Sequence, residues 1–188
     1  MNKKIRIIFI GIMLLLPLAC LFYNIKQGDE RILNSYSQLK DQQHIVKMLD
    51  AKQVDSLIEN KKTYVLFMGF ERCPWCQDLM PYYNEIAKEN RIEEIYYLDI
   101  LEMRTNVDSK DRYVYDKLYQ ILLDASPTST RIGAPTIFFV KEGILQAYHV
   151  GTVAGHERVD GVLPPMTDDQ IKLLKDSLNM EFKKVTSQ

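Results

Sequence analysis

The sequence contains 188 residues, which is enough for one globular domain with appendages. Charged residues make up 26% and apolar residues 46%, the balance of a chain that folds around a hydrophobic core. The formal net charge of −1 becomes −4 once the three positive charges of Lys3, Lys4 and Arg6 are removed. A nucleic-acid-binding protein needs a clustered basic face, so no nucleic-acid partner is predicted.

The N-terminal segment, residues 1–25, is predicted to be a membrane anchor or signal. Its basic start precedes an apolar stretch from Ile7 to Tyr23, which is at the lower edge of the length that spans a bilayer. Positive charge before such a stretch predicts that the rest of the chain lies outside the cytoplasm. The domain is therefore predicted to lie on the extracytoplasmic side of a cell membrane.

Three fates of this segment remain open. An uncleaved single-pass anchor is favoured, because residues 21–23 continue the apolar run past any cleavage point. The second is a lipid anchor at Cys20, since residues 16–20 resemble a bacterial lipobox. The third is removal as an ordinary signal peptide, for which no clean A-x-A pattern is present. All three export the domain.

The next stretch, residues 26–44, is mostly polar and is predicted to be a partly helical spacer that lifts the domain off the membrane. The domain itself is predicted to span residues 45–188. Its first strand is predicted within residues 45–49. Asp50 followed by Gln53 predicts a capping box at the start of the helix that comes next.

The residues around Cys73 and Cys76 carry the strongest chemical signal. Residues 64–70 are an apolar run that predicts a buried strand, and Pro74 suits the first turn of a following helix. Cys73 then lies at the helix N-terminus and Cys76 lies one turn later on the same face, close enough for a disulfide. The positive end of the helix dipole stabilises a thiolate and lowers the pKa of Cys73. The pair is predicted to be exposed and to cycle between dithiol and disulfide.

Two simpler explanations of the pair are disfavoured. A zinc site needs four ligands, and the rest of the chain offers one cysteine and three histidines, with no second pair at metal-ligand spacing. A purely structural disulfide across one helical turn closes too short a loop to restrict the unfolded chain much. No metal and no cofactor is therefore predicted.

The second half of the chain continues the α/β pattern. A strand is predicted within residues 92–100, and a helix is predicted before a turn at residues 126–128. Residues 137–140 and 144–150 are predicted to pair as an antiparallel hairpin. The alternation of strands and helices predicts an α/β domain with parallel central strands. The apolar side of the helix before the turn consists of Val114, Leu118, Ile121 and Leu122.

A loop from residue 151 to residue 166 follows the hairpin. His149 and His156 lie near its start, and both are predicted to face solvent rather than to shuttle protons. Thr167 with Gln170 then predicts a capping box for a final helix.

These motifs together resemble the thioredoxin-like family. The resemblance is carried by the turn Cys73-Pro74-Trp75-Cys76 after a strand, by Pro81 five places later, and by Ala134-Pro135-Thr136 before a strand. It covers residues 45–100 and 130–180. It implies a thioredoxin fold, with a central mixed sheet of parallel strands plus an antiparallel C-terminal hairpin, flanked by helices.

The resemblance also implies the site. Cys73 and Cys76 are its catalytic pair, and a cis peptide bond before Pro135 faces them and presents backbone to substrates. Trp75 either stacks on a substrate peptide or fills the turn between the cysteines. The predicted substrate-binding residues are Pro74, Trp75, Ala134 and Pro135.

Three features depart from thioredoxins proper, and one of them is the pair Pro74-Trp75 between the cysteines, where thioredoxin has Gly-Pro. Those proteins carry a buried aspartate six residues before the first cysteine, where this chain has Phe67, so the proton of Cys76 needs another acceptor such as water or Glu71. An extra segment at about residues 101–130 exceeds the usual connection and is predicted to cover part of the site. Arg72 favours a thiolate and Glu71 opposes it, so adjacent charge does not decide between oxidant and reductant.

The function predicted is a thiol–disulfide oxidoreductase that acts on exported proteins or peptides and exchanges electrons with a redox partner protein. The alternative is a non-catalytic thioredoxin-fold accessory or binding module for an exported peptide. The anchored arrangement is also similar to the thioredoxin-like accessory proteins associated with bacteriocin export. An accessory of that kind binds the exported peptide without needing the thiols.

Overall fold

The computed structural model describes residues 30–40 and 43–187. The strands in chain order are β1 (Val46–Met48), β2 (Tyr64–Gly69), β3 (Ile95–Asp99), β4 (Thr136–Lys141) and β5 (Ile144–Val150). Strands β3 and β1 pair in parallel, as do β3 and β2, whereas β4 pairs antiparallel with both β2 and β5. The order across the sheet is β1-β3-β2-β4-β5.

Helices cover both faces of this mixed sheet. They are α1 (30–35), α2 (Ala51–Glu59), α3 (Pro74–Glu89), α4 (Leu101–Thr105), α5 (Arg112–Ala125) and α6 (Asp168–Thr186). Helices α3 and α6 contact each other in one apolar layer, and α2 contacts α5 in the other. The α/β class, the hairpin and the thioredoxin-like fold predicted from the sequence are confirmed.

Strand β2 runs through the centre of the sheet and is buried along its whole length. Side chains alternate between the two faces of a strand, so Phe67 packs into the layer of α3 and α6, and Leu66 into the layer of α2 and α5. A strand that is buried on both faces has a continuous apolar sequence, which explains the pattern of residues 64–70.

Both predicted capping boxes are present. The Asp50 carboxylate accepts the N–H of Gln53 at 2.8 Å, and the Gln53 side chain accepts the N–H of Asp50 at 2.9 Å. Thr167 and Gln170 make the same reciprocal pair at the start of α6. These local bonds fix where α2 and α6 begin, which is why sequence placed both boundaries well.

The predicted spacer differs from the structure. Residues 30–40 pack against the domain, because Ile32, Tyr36 and Leu39 are almost completely buried in the layer of α3 and α6. Ile32 lies on α1, Leu39 lies on a 3₁₀ turn (Ser37–Leu39), and Tyr36 lies between these two elements. The packed domain therefore begins N-terminal to residue 45.

The predicted membrane segment, residues 1–25, lies outside the described residues. Within residues 30–40 and 43–187, no helix is both long enough and apolar enough to cross a membrane.

Candidate active site

The two cysteines lie where β2 leads into α3. Cys73 caps the helix, with Pro74 as the first helical residue, and its sulfur accepts the N–H of Cys76 at 3.3 Å. Both cysteines are free thiols. The Cys73 thiol donates to the carbonyl oxygen of Ala134 at 3.2 Å, and the peptide bond between Ala134 and Pro135 is cis. The structure thus brings together the cysteines, Pro74, Ala134 and Pro135 as predicted.

The exposure predicted for the pair is wrong. Cys73 is 2% exposed and Cys76 is fully buried. Partly buried side chains, including Phe70, Trp75 and Val153, complete the apolar layer that contains both sulfurs. A large molecule from solution therefore contacts the Cys73 sulfur only when the neighbouring chain moves aside.

The surroundings of the two thiols shift their pKa values in opposite directions. The hydrogen bond with Cys76 lowers the pKa of Cys73, and although burial opposes this, nearby backbone N–H groups and Arg104 lower it further. Burial raises the pKa of Cys76 far above its ordinary value, and the contact with Cys73 raises it more. Cys73 is consequently the thiol that ionises first, and Cys76 keeps its proton.

The charged side chain that lowers the pKa of Cys73 is Arg104, and not Arg72 beside the motif. Arg104 lies on α4, and its guanidinium lies over the Phe70 ring at 5.1 Å. It is part of the extra segment 101–130, but the longer helix of that segment, α5, packs in the layer opposite the cysteines. The segment thus contributes a charge near the site, whereas α5 does not cover it. The sequence signal for Arg104 was its place just after β3, at the sheet edge where β2 also ends.

Trp75 is fixed by the loop 151–166. Its indole Nε1 donates to the carbonyl oxygen of His156 at 3.0 Å, and the guanidinium of Arg158 lies over its ring at 5.3 Å. This contact with the loop is neither of the two roles predicted for Trp75. Nothing in the sequence indicated that the loop folds back onto α3.

The prediction that His149 and His156 face solvent is wrong. His156 is 3% exposed; its Nε2–H donates to the Pro164 carbonyl at 2.7 Å and its Nδ1 accepts the Thr152 hydroxyl at 2.7 Å. The Nε2 atom also lies 3.6 Å from the Asp78 carboxylate on α3. The bonds to Thr152 and Pro164 lie within the loop, whereas the contact with Asp78 and the hydrogen bond from Trp75 attach the loop to the start of α3.

His149 joins β5, the loop and α6. Its Nε2 lies 2.8 Å from the Thr152 carbonyl and its Nδ1 lies 3.2 Å from the Glu181 carboxylate. Burial lowers the pKa of His149, but the bonds to Glu181 and to the carbonyls of Thr152 and Gly151 outweigh it, so the pKa is raised overall. A doubly donating imidazolium matches these acceptors.

Glu181→Gln is expected to destabilise the protein by roughly 2 kcal/mol at pH 5.5, the usual worth of a hydrogen bond to a charged group. Because the folded-state pKa of His149 is raised, its stabilisation is complete below the unfolded value of about 6.5 and is lost as pH rises through the folded value. Urea unfolding of both proteins at pH 5.5 and pH 9 measures the difference. A difference that stays constant over this range would contradict the pairing.

A cleft of ≈ 470 Å³ lies beside the start of α3. Glu71, Arg72, Pro74 and Asp78 are among its lining residues. It is an accessible surface next to the buried pair. Among the described residues, no group of three or more metal-ligating side chains occurs.

Comparisons with known proteins give distant similarities only. No protein-family model and no curated protein matches the sequence. Thioredoxin O2 from Arabidopsis thaliana in its oxidized state is 18% identical with a TM-score of 0.44, over 74% of this chain and 96% of that one. A thioredoxin mutant from Entamoeba histolytica is 19% identical with a TM-score of 0.34, over 56% and 86% of the two chains. The fold assignment rests on the strand order and connections of this chain itself.

Proposed function

We propose that this protein is a thiol–disulfide oxidoreductase in which Cys73 attacks and Cys76 resolves. The observation that carries the proposal is the asymmetry of the pair, with a lowered pKa at Cys73 and a raised one at Cys76 across a single hydrogen-bonded turn. A low-pKa thiol at a helix start followed by a protonated partner is the arrangement that thiol–disulfide exchange uses.

The chemistry follows from this asymmetry. The Cys73 thiolate attacks one sulfur of a substrate disulfide, and the other substrate sulfur leaves as a thiolate that takes up a proton. Cys76 then loses its proton and attacks the Cys73 sulfur, which releases the second substrate thiol and leaves Cys73 and Cys76 as a disulfide. The substrate is reduced and the pair is oxidised; the same steps in reverse oxidise a substrate dithiol.

The proposal includes a binding role for four residues around the sulfurs. The carbonyl of Ala134, which accepts the Cys73 thiol at 3.2 Å, becomes free when Cys73 ionises. Ala134 and Pro135 then present backbone to an extended substrate chain, and Pro74 and Trp75 flank it.

The proposal also includes location and partners. The basic start and the apolar stretch within residues 1–25 support an anchored domain on the extracytoplasmic side of the membrane. Exported proteins or peptides are its substrates there, and a separate redox protein restores the pair. A narrower version of the same arrangement is an accessory protein of bacteriocin export.

One observation favours a second candidate, the non-catalytic binding module. Cys73 is only 2% exposed, so a role that needs no reaction at its sulfur fits the closed structure. In that case the cleft beside α3, lined in part by Glu71, Arg72 and Asp78, binds the exported peptide.

The test is a redox titration of the full chain in glutathione buffers. After each equilibration, thiols are trapped with a mass-shifting alkylating reagent, and the same reaction is run on Cys73→Ala. The oxidoreductase predicts one two-electron transition in the wild type and complete loss of exchange in the variant. A pair that resists both oxidant and reductant, with cellular role kept by Cys73→Ala, would favour the binding module instead.

A further inference from the structure

A pocket of ≈ 300 Å³ lies where α4 and α5 meet the chain that leads to the cis peptide bond. Three arginines are among its lining residues: Arg104 on α4, Arg112 on α5, and Arg131. None of the described residues that line it is acidic. The chain as a whole has a formal net charge of −1, so this concentration of positive charge is a local feature of the pocket.

Two of the three arginines have no anionic partner. Within residues 30–40 and 43–187, Arg104 and Arg131 form neither an ion pair nor a side-chain hydrogen bond. The guanidinium of Arg104 lies over the Phe70 ring at 5.1 Å, a contact that uses its face and leaves its N–H groups at the edge. A guanidinium is always charged and has five N–H donors, so both side chains have donors to offer an anion.

The third arginine is held by its neighbours. The Nε–H of Arg112 donates to the Asp116 carboxylate at 2.8 Å, and Nη1 donates to the Met103 carbonyl at 3.4 Å. Its guanidinium also lies over the Tyr115 ring at 4.9 Å. These contacts orient the guanidinium, and Asp116 balances one of the three positive charges. The charges of Arg104 and Arg131 are left without compensation by the described residues.

Tyrosine hydroxyls fix one wall of the pocket. The Tyr115 hydroxyl accepts the N–H of Ile132 at 3.2 Å, and the Tyr119 hydroxyl donates to the carbonyl of Ser129 at 2.9 Å. Both tyrosines line the pocket, and their bonds hold the segment that includes Arg131 against α5. A site that is formed before binding loses less conformational freedom when its ligand arrives.

Short connections on two sides place the pocket beside the reacting sulfur. The ring that Arg104 covers belongs to Phe70, whose carbonyl accepts the N–H of Cys73 at 3.1 Å. Arg131 comes three residues before Ala134, whose carbonyl lies 3.2 Å from the Cys73 sulfur. Three residues of chain span at most about 11 Å. A substrate chain therefore covers the distance from the sulfur to the pocket with a few extended residues.

We propose that this pocket binds a carboxylate side chain of the polypeptide substrate, a few residues away from the substrate cysteine that reacts with Cys73. The proposal rests on the oxidoreductase function and gives its substrate class, a disulfide flanked by acidic residues. Guanidinium groups bind carboxylates through paired N–H donors, which fixes direction as well as charge. The extra segment 101–130 thus selects the substrate instead of covering the site.

The cleft beside α3 does not offer the same preference. Two carboxylates, Glu71 and Asp78, are among its lining residues together with Arg72. An acidic side chain is therefore repelled there as much as it is attracted, because charges of both signs lie along the same cleft. The acidic residues of the substrate consequently lie toward α4.

The test compares two peptide substrates that differ only in charge. Each has one cysteine in a disulfide with the same fluorescent thiol, and two glutamates in one peptide replace two glutamines in the other, three and four residues from the cysteine. The reduced full-length protein is mixed with each peptide, and release of the fluorescent thiol gives a second-order rate constant. Each constant is divided by that of the same peptide with dithiothreitol, which removes the intrinsic difference between the peptides.

The wild type is expected to react about tenfold faster with the glutamate peptide, and this preference should shrink as salt is added. Arg131→Gln is expected to lower the preference about fivefold, the upper end of the range for an exposed ion pair. The matched control is Lys62→Gln, which makes the same change in net charge at an exposed residue before β2, at the other end of that strand from Cys73. It should keep the wild-type preference.

Reversing the charge separates recognition from a structural effect. Arg131→Glu, at an exposed position, is expected to prefer a peptide with two lysines at the same places, which the wild type disfavours. Equal normalised rates for the glutamate and glutamine peptides in the wild type, or equal losses in Arg131→Gln and Lys62→Gln, would overturn the pocket assignment and leave the oxidoreductase function standing. Failure of the wild type to react with either peptide would overturn both.

Discussion

Replacing Cys76 with serine is expected to leave Cys73 joined to its substrate as a persistent mixed disulfide. In the proposed mechanism the attack of Cys76 on this bond is intramolecular, across one helical turn. Without the second sulfur, release depends on a thiol from solution, and we expect the lifetime of the adduct to rise roughly a hundredfold or more. Non-reducing electrophoresis of the full chain after trapping in cells measures the adducts.

The reactivity of Cys73 is expected to survive this substitution. Its sulfur accepts the backbone N–H of residue 76, which serine retains, and a serine hydroxyl at this position is still a hydrogen-bond donor. The charge of Arg104 is also unchanged. The first step therefore proceeds while the second is blocked.

Two controls make the result specific to the pair. Cys73→Ser should give no adduct at all, and the variant with both serines should match it. If Cys76→Ser gave no adduct, or if Cys73→Ser gave as many, then the assignment of Cys73 as the attacking thiol would be wrong. Adducts that disappear with a reducing agent identify the bond as a disulfide.

Local sequence signals predicted the fold well. The capping residues Asp50 and Thr167 act within four residues of themselves, and the apolar run of β2 depends only on burial of both faces of a strand. The position of the cysteine pair at the start of α3 follows from Pro74 in the same way. The cis bond before Pro135 was predicted only through the resemblance to thioredoxin-like proteins, since spacing alone does not determine it.

Features that depend on distant parts of the chain were not predicted. The burial of Cys73 depends on the loop that returns to Trp75, and that loop is held by bonds of His156 to Thr152 and Pro164. Nothing in the spacing of these residues indicates that they meet α3. A histidine in a polar loop is ordinarily exposed, so the polar neighbours of His156 led to the wrong prediction that it faces solvent.

The sequence contained an indication that residues 30–40 pack against the domain, but the polar residues among them outweighed it. Ile32, Tyr36 and Leu39 lie at helical spacing, but the polar residues between them suggested a spacer. The short helix α1 and the 3₁₀ turn that follows it are each too short to be identified by their period alone. The partner of this apolar side, which includes Tyr97 on β3, is visible only in the folded chain.

Gly69→Ala is expected to damage both stability and the site, because the last residue of β2 has no room for a side chain. An added Cβ would lie 2.6 Å from the Phe67 ring and 2.9 Å from the Cys76 sulfur. Both groups are fully buried, so relief requires movement in a packed core, at a cost of about 1–3 kcal/mol. The thermal midpoint is expected to fall by roughly 3–10 °C.

The same substitution is expected to alter thiol chemistry. Displacing the Cys76 sulfur weakens its hydrogen bond with Cys73, which is the main cause of the lowered pKa of Cys73. The pH at which Cys73 becomes reactive toward iodoacetamide should therefore rise in Gly69→Ala. The shift is measured from the alkylation rate of Cys73 across a pH series.

Gly133→Ala is the matched control, since it makes the same change beside the site without the same crowding. Its added Cβ would lie 3.3 Å from a methyl group of Val150, a side chain that is 53% exposed and free to move. Replacing glycine also stabilises by restricting the unfolded chain, so the net effect should lie within about 0.5 kcal/mol of zero. If Gly69→Ala behaved like this control in both stability and alkylation, then the close contact of Gly69 with the Cys76 sulfur would not govern the reactivity of the pair.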